Sequence, residues 1–303
     1  MRLPDPKLDE TALLDLVIEL YGAKSSRLEF QPAGGDSWCY RVDGWWVSVR
    51  RDRQGHVPQA YEAARDLREL GLDFVLAPEM GRNGAVVQRL GSRPFVVFRH
   101  EAGRPIFPDQ ATRERAKRVE SMVATLHEAY VARDLPQETF DLPFADELRR
   151  SVARALAGAA GEGPYGEAVT RLVRNNNERL AALEEEMRAC QVACRLQQPR
   201  LVLTHGEPNR GNVFVTADGR LLLMDWGDLA WAPAERDFVT RRDIGLPRAG
   251  DETRLRFYQL RWVLSEIAEY VGRFAQPHAG DTEDHAMWRE LSLYLPVDGE
   301  VPT

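Results

Sequence analysis

A chain of 303 residues with 44% hydrophobic content has enough apolar matter for one large domain or two modest ones, which excludes a disordered polypeptide. Its charged residues, 29% of the total, mix both signs and sum to −7, the wrong balance for a protein that grips nucleic-acid phosphates through a basic face. The opening MRLPDPKLDETALLDLVIELYG lacks the basic-then-apolar pattern of a leader, and no apolar run approaches the roughly 18 residues that span a bilayer, so the sequence reads as cytoplasmic, with neither nucleic acid nor membrane as partner.

Apolar residues at helical spacing predict a first helix over residues 8–22. The period then changes to two, and three antiparallel strands are expected within residues 26–51, with turns at Gly34-Gly35 and Asp43-Gly44. A helix over QAYEAARDLRELG ends at Gly71, and AVVQRL and PFVVFRH supply two more strands. Beyond FRHEAGRP the pattern turns helical, with long segments near 110–132, 144–158, 166–194, 251–274 and 284–294. The expected division is therefore a sheet-rich lobe over residues 1–100 and a helical lobe over 101–303. Of three cysteines, Cys190 and Cys194 sit four apart, but no second ligand pair accompanies them, and all three read as small reduced core residues.

One hairpin interrupts the helical half: GNVFVTADGRLLLMDWG, turning at Asp218-Gly219. It opens at Asn212 and closes at Asp225, so these two side chains should be neighbours. Two hard oxygen ligands at the base of a hairpin suit Mg²⁺, with water and phosphate oxygens completing the shell. Glu207, on the loop just before, lies close but in another role: a carboxylate there accepts or orients the proton of an attacking hydroxyl. The bland alternatives are a surface carboxylate for Glu207 and turn residues for Asn212 and Asp225. That account needs all three placements to be accidental.

The segments HGEPNRGN, LLLMDWGD and PAERDF resemble the catalytic loop, metal loop and following helix of the aminoglycoside phosphotransferase family, relatives of the protein kinases. The resemblance implies an α+β, bilobal, protein-kinase-like fold with a small antiparallel-sheet N-lobe and a mainly helical C-lobe. It also implies Mg²⁺ as cofactor and ATP or GTP as co-substrate. Carried over residue by residue, Glu207 is the catalytic carboxylate, Asn212 and Asp225 are the Mg²⁺ ligands, and His205 braces the loop. Glu207 stands where the family has Asp; the extra methylene moves the carboxylate outward by about 1.5 Å, which the loop is expected to accommodate. PAGGDSWCYRV matches the turn over the nucleotide phosphates, with Gly34, Gly35 and Ser37 as donors, although the two glycines also suit an ordinary hairpin turn. The third strand should carry a Lys; VSVR offers Arg50 in that register, or Arg51 if the register shifts by one. Glu62 follows twelve residues on as the expected ion-pair partner of Arg50, the alternative being a surface pair.

ARDLRELGLDFVLAPEM followed by GRNGAVVQRL is similar to the antibiotic-modifying members of the family. The expected function is transfer of the γ-phosphoryl group to a hydroxyl of an aminoglycoside or related basic antibiotic. Asp251, Glu252, Glu266, Glu269, Asp281, Glu283 and Asp284, where the resemblance places the acceptor, suggest a cationic one. Three rival readings are a metabolic kinase of the choline, homoserine or sugar type, a catalytically silent nucleotide-binding module, and a hydrolase with Zn²⁺ on His205 and Glu207.

Overall fold

The structure is a computed structural model, and it describes residues 4–33, 37–51, 57–106, 112–158, 161–208, 210–238 and 250–296. Helix α1 (Glu10–Tyr21) is capped by Asp9, which accepts from the Ala12 N–H, and ends on Gly22 in the left-handed conformation. Strands β1 (Glu29–Gln31), β2 (Ser37–Val42) and β3 (Trp45–Arg50) follow, then α2 (Pro58–Glu69), with proline in its first turn. Strands β4 (Gln88–Leu90) and β5 (Arg93–Arg99) complete an antiparallel sheet of order β1-β2-β3-β5-β4.

Alternation along β3 decides what each face of this sheet does. Trp45, Val47 and Val49 are buried with Leu13, Val17 and Leu20 of α1, whereas Trp46, Ser48 and Arg50 point the other way and are only half-buried. On that second face Tyr61 of α2 packs with Val86 and Val96. The other side of α2 joins a larger core: Ala60, Ala63, Ala64 and Leu67 belong to the same buried cluster as Val119, Val123 and Leu126 of α3 (Arg113–Glu128) and Trp226 and Leu229. Leu67 and Leu126 are fully buried, and each such side chain contributes roughly 1.5–3 kcal/mol of apolar transfer free energy.

The expected hairpin forms as β8 (Val213–Thr216) and β9 (Leu221–Leu223). The stretch expected to be a boundary instead supplies β6 (Gly103–Pro105), which pairs with β8 and makes a third strand of that sheet. Strand β7 (Val202–Thr204) pairs with β10 (Ala230–Ala232), and so holds the chain that leads into His205 and Glu207 against the chain just beyond Asp228.

Contacts divide the chain into two compact units. One comprises Leu3–Glu138 with Arg200–Ala249, the other Thr139–Pro199 with Gly250–Thr303 and the first two residues. The units do not divide at residue 100, because α3 and the hairpin share the core that also buries α2. In the helical unit, α4 (Ala145–Leu156), α5 (Gly166–Asn175), α6 (Asn177–Leu196) and α8 (Thr282–Tyr294) pack around α7 (Glu252–Phe274). The single helix expected over 166–194 is broken at Asn176, whose buried amide donates to the Leu172 carbonyl at 2.9 Å and the Pro296 carbonyl at 3.0 Å. Among the described residues no helix is long and apolar enough to cross a membrane. Cys39, Cys190 and Cys194 form no disulfide, and Cys39 and Cys194 are buried.

Candidate active site

Strand β7 delivers His205 into the interior, where it is 1% exposed. Its Nε2–H donates to the Met224 carbonyl at 2.9 Å, which leaves Nδ1 to accept the backbone N–H of Glu207 at 3.3 Å. One imidazole thus ties the loop carrying Glu207 to the residue before Asp225. Burial, outweighing the nearby carboxylates of Asp237 and Asp225, pushes the His205 pKa below its ordinary value and keeps the ring neutral. Trp226 meets its edge in a T-shaped contact, ring centroids 4.7 Å apart.

The second brace is Asp237, fully buried, whose Oδ1 accepts from the Gly206 N–H at 2.6 Å and whose Oδ2 accepts from the His205 N–H at 3.1 Å. His127 of α3 stands 2.9 Å from the same Oδ2. Burial alone would raise the pKa of this carboxyl; the hydrogen bond and charge of His127, with Arg236 and His205, outweigh it and hold Asp237 below the usual range. Asp237 thus clamps the loop that carries Glu207. Arg236 reaches the metal loop instead, donating to the Asp228 carbonyl at 3.0 Å and to Thr204 Oγ1 at 2.9 Å. Gly206 must be glycine here: φ is +98°, and an added Cβ would lie 2.5 Å from the Arg236 guanidinium.

At the hairpin base the Met224 N–H donates to the Asn212 carbonyl at 2.9 Å, one step beyond the Val213–Leu223 pair. The Asn212 amide donates to the Glu207 carbonyl at 3.0 Å and approaches Glu207 Oε2 at 3.4 Å, so its Oδ1 is the atom left to face a cation. Asp225 is exposed and left-handed, φ 65° and ψ 67°, one of three non-glycine residues at positive φ among those described. Such backbone costs on the order of 1–3 kcal/mol and concentrates at functional sites. An exposed carboxylate and an amide oxygen at adjoining strand ends are a donor set that fits Mg²⁺. No group of three or more His, Cys, Asp or Glu side chains able to hold a metal occurs among the described residues, so the zinc hydrolase reading finds no ligand set there.

Gly34 and Gly35 lie outside the described residues. Ser37 pairs directly with Arg50 across β2 and β3, which puts both side chains on the α2 face of the sheet. Arg51 points to the opposite face and rides over Trp38, 5.8 Å from the ring centroid. Glu62 does not take the role expected of it: its carboxylate pairs with Arg133 at 2.6 Å, and Arg133 also binds Asp66 at 2.5 Å. The α2 residue hydrogen-bonded to Arg50 is Tyr61, 5% exposed. Burial first, then the Asp225 charge, pushes the Tyr61 pKa up to about 12, with Arg50 opposing. Among the seven acidic residues of the last helices, Asp251 and Asp281 cap α7 and α8, and Asp284 is buried against Arg273 at 2.7 Å.

The model of the phosphotransferase enzyme family matches residues 39–270, which include His205, Glu207, Asn212, Asp225 and Arg50. The chain belongs to that family. The phosphotransferase is 43% identical over 281 residues to Protein StrN of Streptomyces griseus, a match covering 89% of this chain and 86% of that one. Among solved structures it is similar to spectinomycin phosphotransferase APH(9)-Ia in complex with ADP and spectinomycin: TM-score 0.74, 16% identity, 94% of each chain covered. It is also similar to a microcompartment-associated aminopropanol kinase: TM-score 0.61, 16% identity, covering 93% of this chain and 95% of the other. These likenesses establish the protein-kinase-like fold, an antiparallel N-terminal sheet followed by a helical part, as the motifs implied. They span kinases of different small molecules, so the family settles the chemistry more coarsely than the acceptor.

Proposed function

We propose that this phosphotransferase moves the γ-phosphoryl group of ATP or GTP to a hydroxyl of a small, amine-bearing antibiotic, an aminoglycoside or a related basic compound. The observation that carries the reading is the meeting of Glu207, Asn212 and the left-handed Asp225 at one hairpin base. Asn212 and Asp225 hold Mg²⁺, which neutralises charge on the transferring phosphate. Glu207 accepts and orients the proton of the attacking hydroxyl, and neutral His205 with anionic Asp237 keeps its loop in place. Arg50 binds the phosphates from the sheet, with Ser37, Gly34 and Gly35 covering them from the turn. In this scheme residues 1–100 serve the nucleotide, and residues 101–303 carry the catalytic and metal loops and the acceptor determinants.

A second acceptor class, a small amino alcohol, is favoured by the similarity to the aminopropanol kinase and to an ethanolamine kinase of Plasmodium vivax. Both classes share a cationic amine beside a hydroxyl, which the net charge of −7 attracts. A mass-spectrometric screen of aminoglycosides, spectinomycin and amino alcohols with MgATP and MgGTP tests the proposal. Gain of one phosphate on an antibiotic is the expected result; phosphorylation of amino alcohols alone favours the second class, and none at all defeats the kinase reading. For the acceptor found, KM should rise with salt over the range in which the Debye length shortens from about 10 Å to about 3 Å. A flat salt profile removes the electrostatic part of the argument.

A further inference from the structure

Helix α2 places Tyr61 beside both Arg50 and the turn Trp226–Asp228. Its hydroxyl accepts a hydrogen bond from the Arg50 guanidinium. The same oxygen would lie 3.1 Å from a Cβ at Gly227, the residue midway through the metal-loop turn Trp226–Asp228. Glycine there lets the phenol approach, and the apolar contacts of Ala60, Ala63 and Ala64 with Trp226 and Leu229 hold the helix against this turn. Glu62, one residue on, is turned away to Arg133.

We propose that Tyr61 is a positioning residue for phosphoryl transfer, fixing Arg50 and the Asp225 loop relative to each other; this rests on the phosphotransferase reading above. A neutral phenol suits the task better than a carboxylate. It accepts from the guanidinium and so sets its direction, yet it leaves the full positive charge of Arg50 for the phosphates, whereas a glutamate would neutralise part of it. A tyrosine hydroxyl ordinarily titrates at about 10, so Tyr61 is neutral at working pH.

The test is calorimetric titration of the full chain with MgATP and with MgGTP. Tyr61→Phe keeps the ring and its packing, so its melting temperature should match that of the unaltered protein while nucleotide affinity falls about ten-fold, the scale of a hydrogen bond to a charged group. Because Tyr61 acts through Arg50, the double variant Tyr61→Phe with Arg50→Ala should bind no more weakly than Arg50→Ala alone. Gly227→Ala, which sets a methyl against the hydroxyl, gives a second reading should Tyr61→Phe unfold, and should also weaken binding. Unchanged affinity in Tyr61→Phe, or losses that add fully in the double variant, would overturn the inference while leaving the phosphotransferase reading intact. An unaltered protein that binds neither nucleotide would instead defeat that reading, and this inference with it.

Discussion

Two regions meet at the candidate site and were built by different rules. Between His205 and Asp228 the decisive partners are close in the chain: Asn212 bonds Glu207 five residues away, and His205 bonds the Met224 carbonyl across a short hairpin. On the β3–α2 face the partners are set by helix rotation, and Glu62 finds Arg133 at a separation of 71 residues. A two-stranded ribbon with a tight turn permits few arrangements of its ends, so spacing alone locates them. Adjacent helix positions differ by about 100°, so Tyr61 and Glu62 face different neighbours, and which of them meets Arg50 depends on how α2 is rolled onto its core.

The sharpest attempt to break the hairpin half of this comparison is Asp225→Ala. Transfer should drop by on the order of 1000-fold with the fold retained, because a metal ligand is lost where phosphate charge develops. Near-normal turnover with Mg²⁺ would remove Asp225 from the site. Glu207→Gln comes next, with an expected loss of about 100-fold in rate and little change in nucleotide affinity, as follows from the proposal that the carboxylate faces the acceptor hydroxyl. Equal losses in both would put Glu207 on the phosphates; a faster Glu207→Asp would show that the loop is not fitted to the longer side chain.

The sheet half is tested by Arg50→Ala, which should weaken nucleotide binding by about ten-fold, a lost charge-assisted hydrogen bond, while Arg51→Ala on the other face should not. The opposite outcome would shift the register by one residue. Smallest of all is Glu62→Gln: the Arg133 pair is more than a third exposed, so its loss should cost no more than about 1 kcal/mol in thermal unfolding. A fall in nucleotide affinity as large as that of Arg50→Ala would return Glu62 to the phosphate site.

Much of the fold was legible because its periods are unambiguous. The first helix, the strand alternation in β2 and β3 and the turn at Asp43-Gly44 are local events, and they formed where the residues placed them. The pairing of β6 with β8 was not legible, because a three-residue strand has no period of its own and is created by the neighbour that accepts it. His127 gave no sign in the sequence, since nothing in α3 marks it as the partner of a carboxyl 110 residues away.

What the residues determined by themselves is the set of groups at the hairpin base: a loop carboxylate, an amide oxygen and a second carboxylate at fixed separations, joined by a tight turn. What only the tertiary structure decided is which groups hold that set still. Asp237 turned out to clamp the catalytic loop, Arg236 to reach the metal loop, and Tyr61 in place of Glu62 to meet Arg50. The reason is range. Backbone turns are settled by the few residues within them, whereas the partner of a buried charge is whichever group the packing of distant helices leaves within about 3 Å of it.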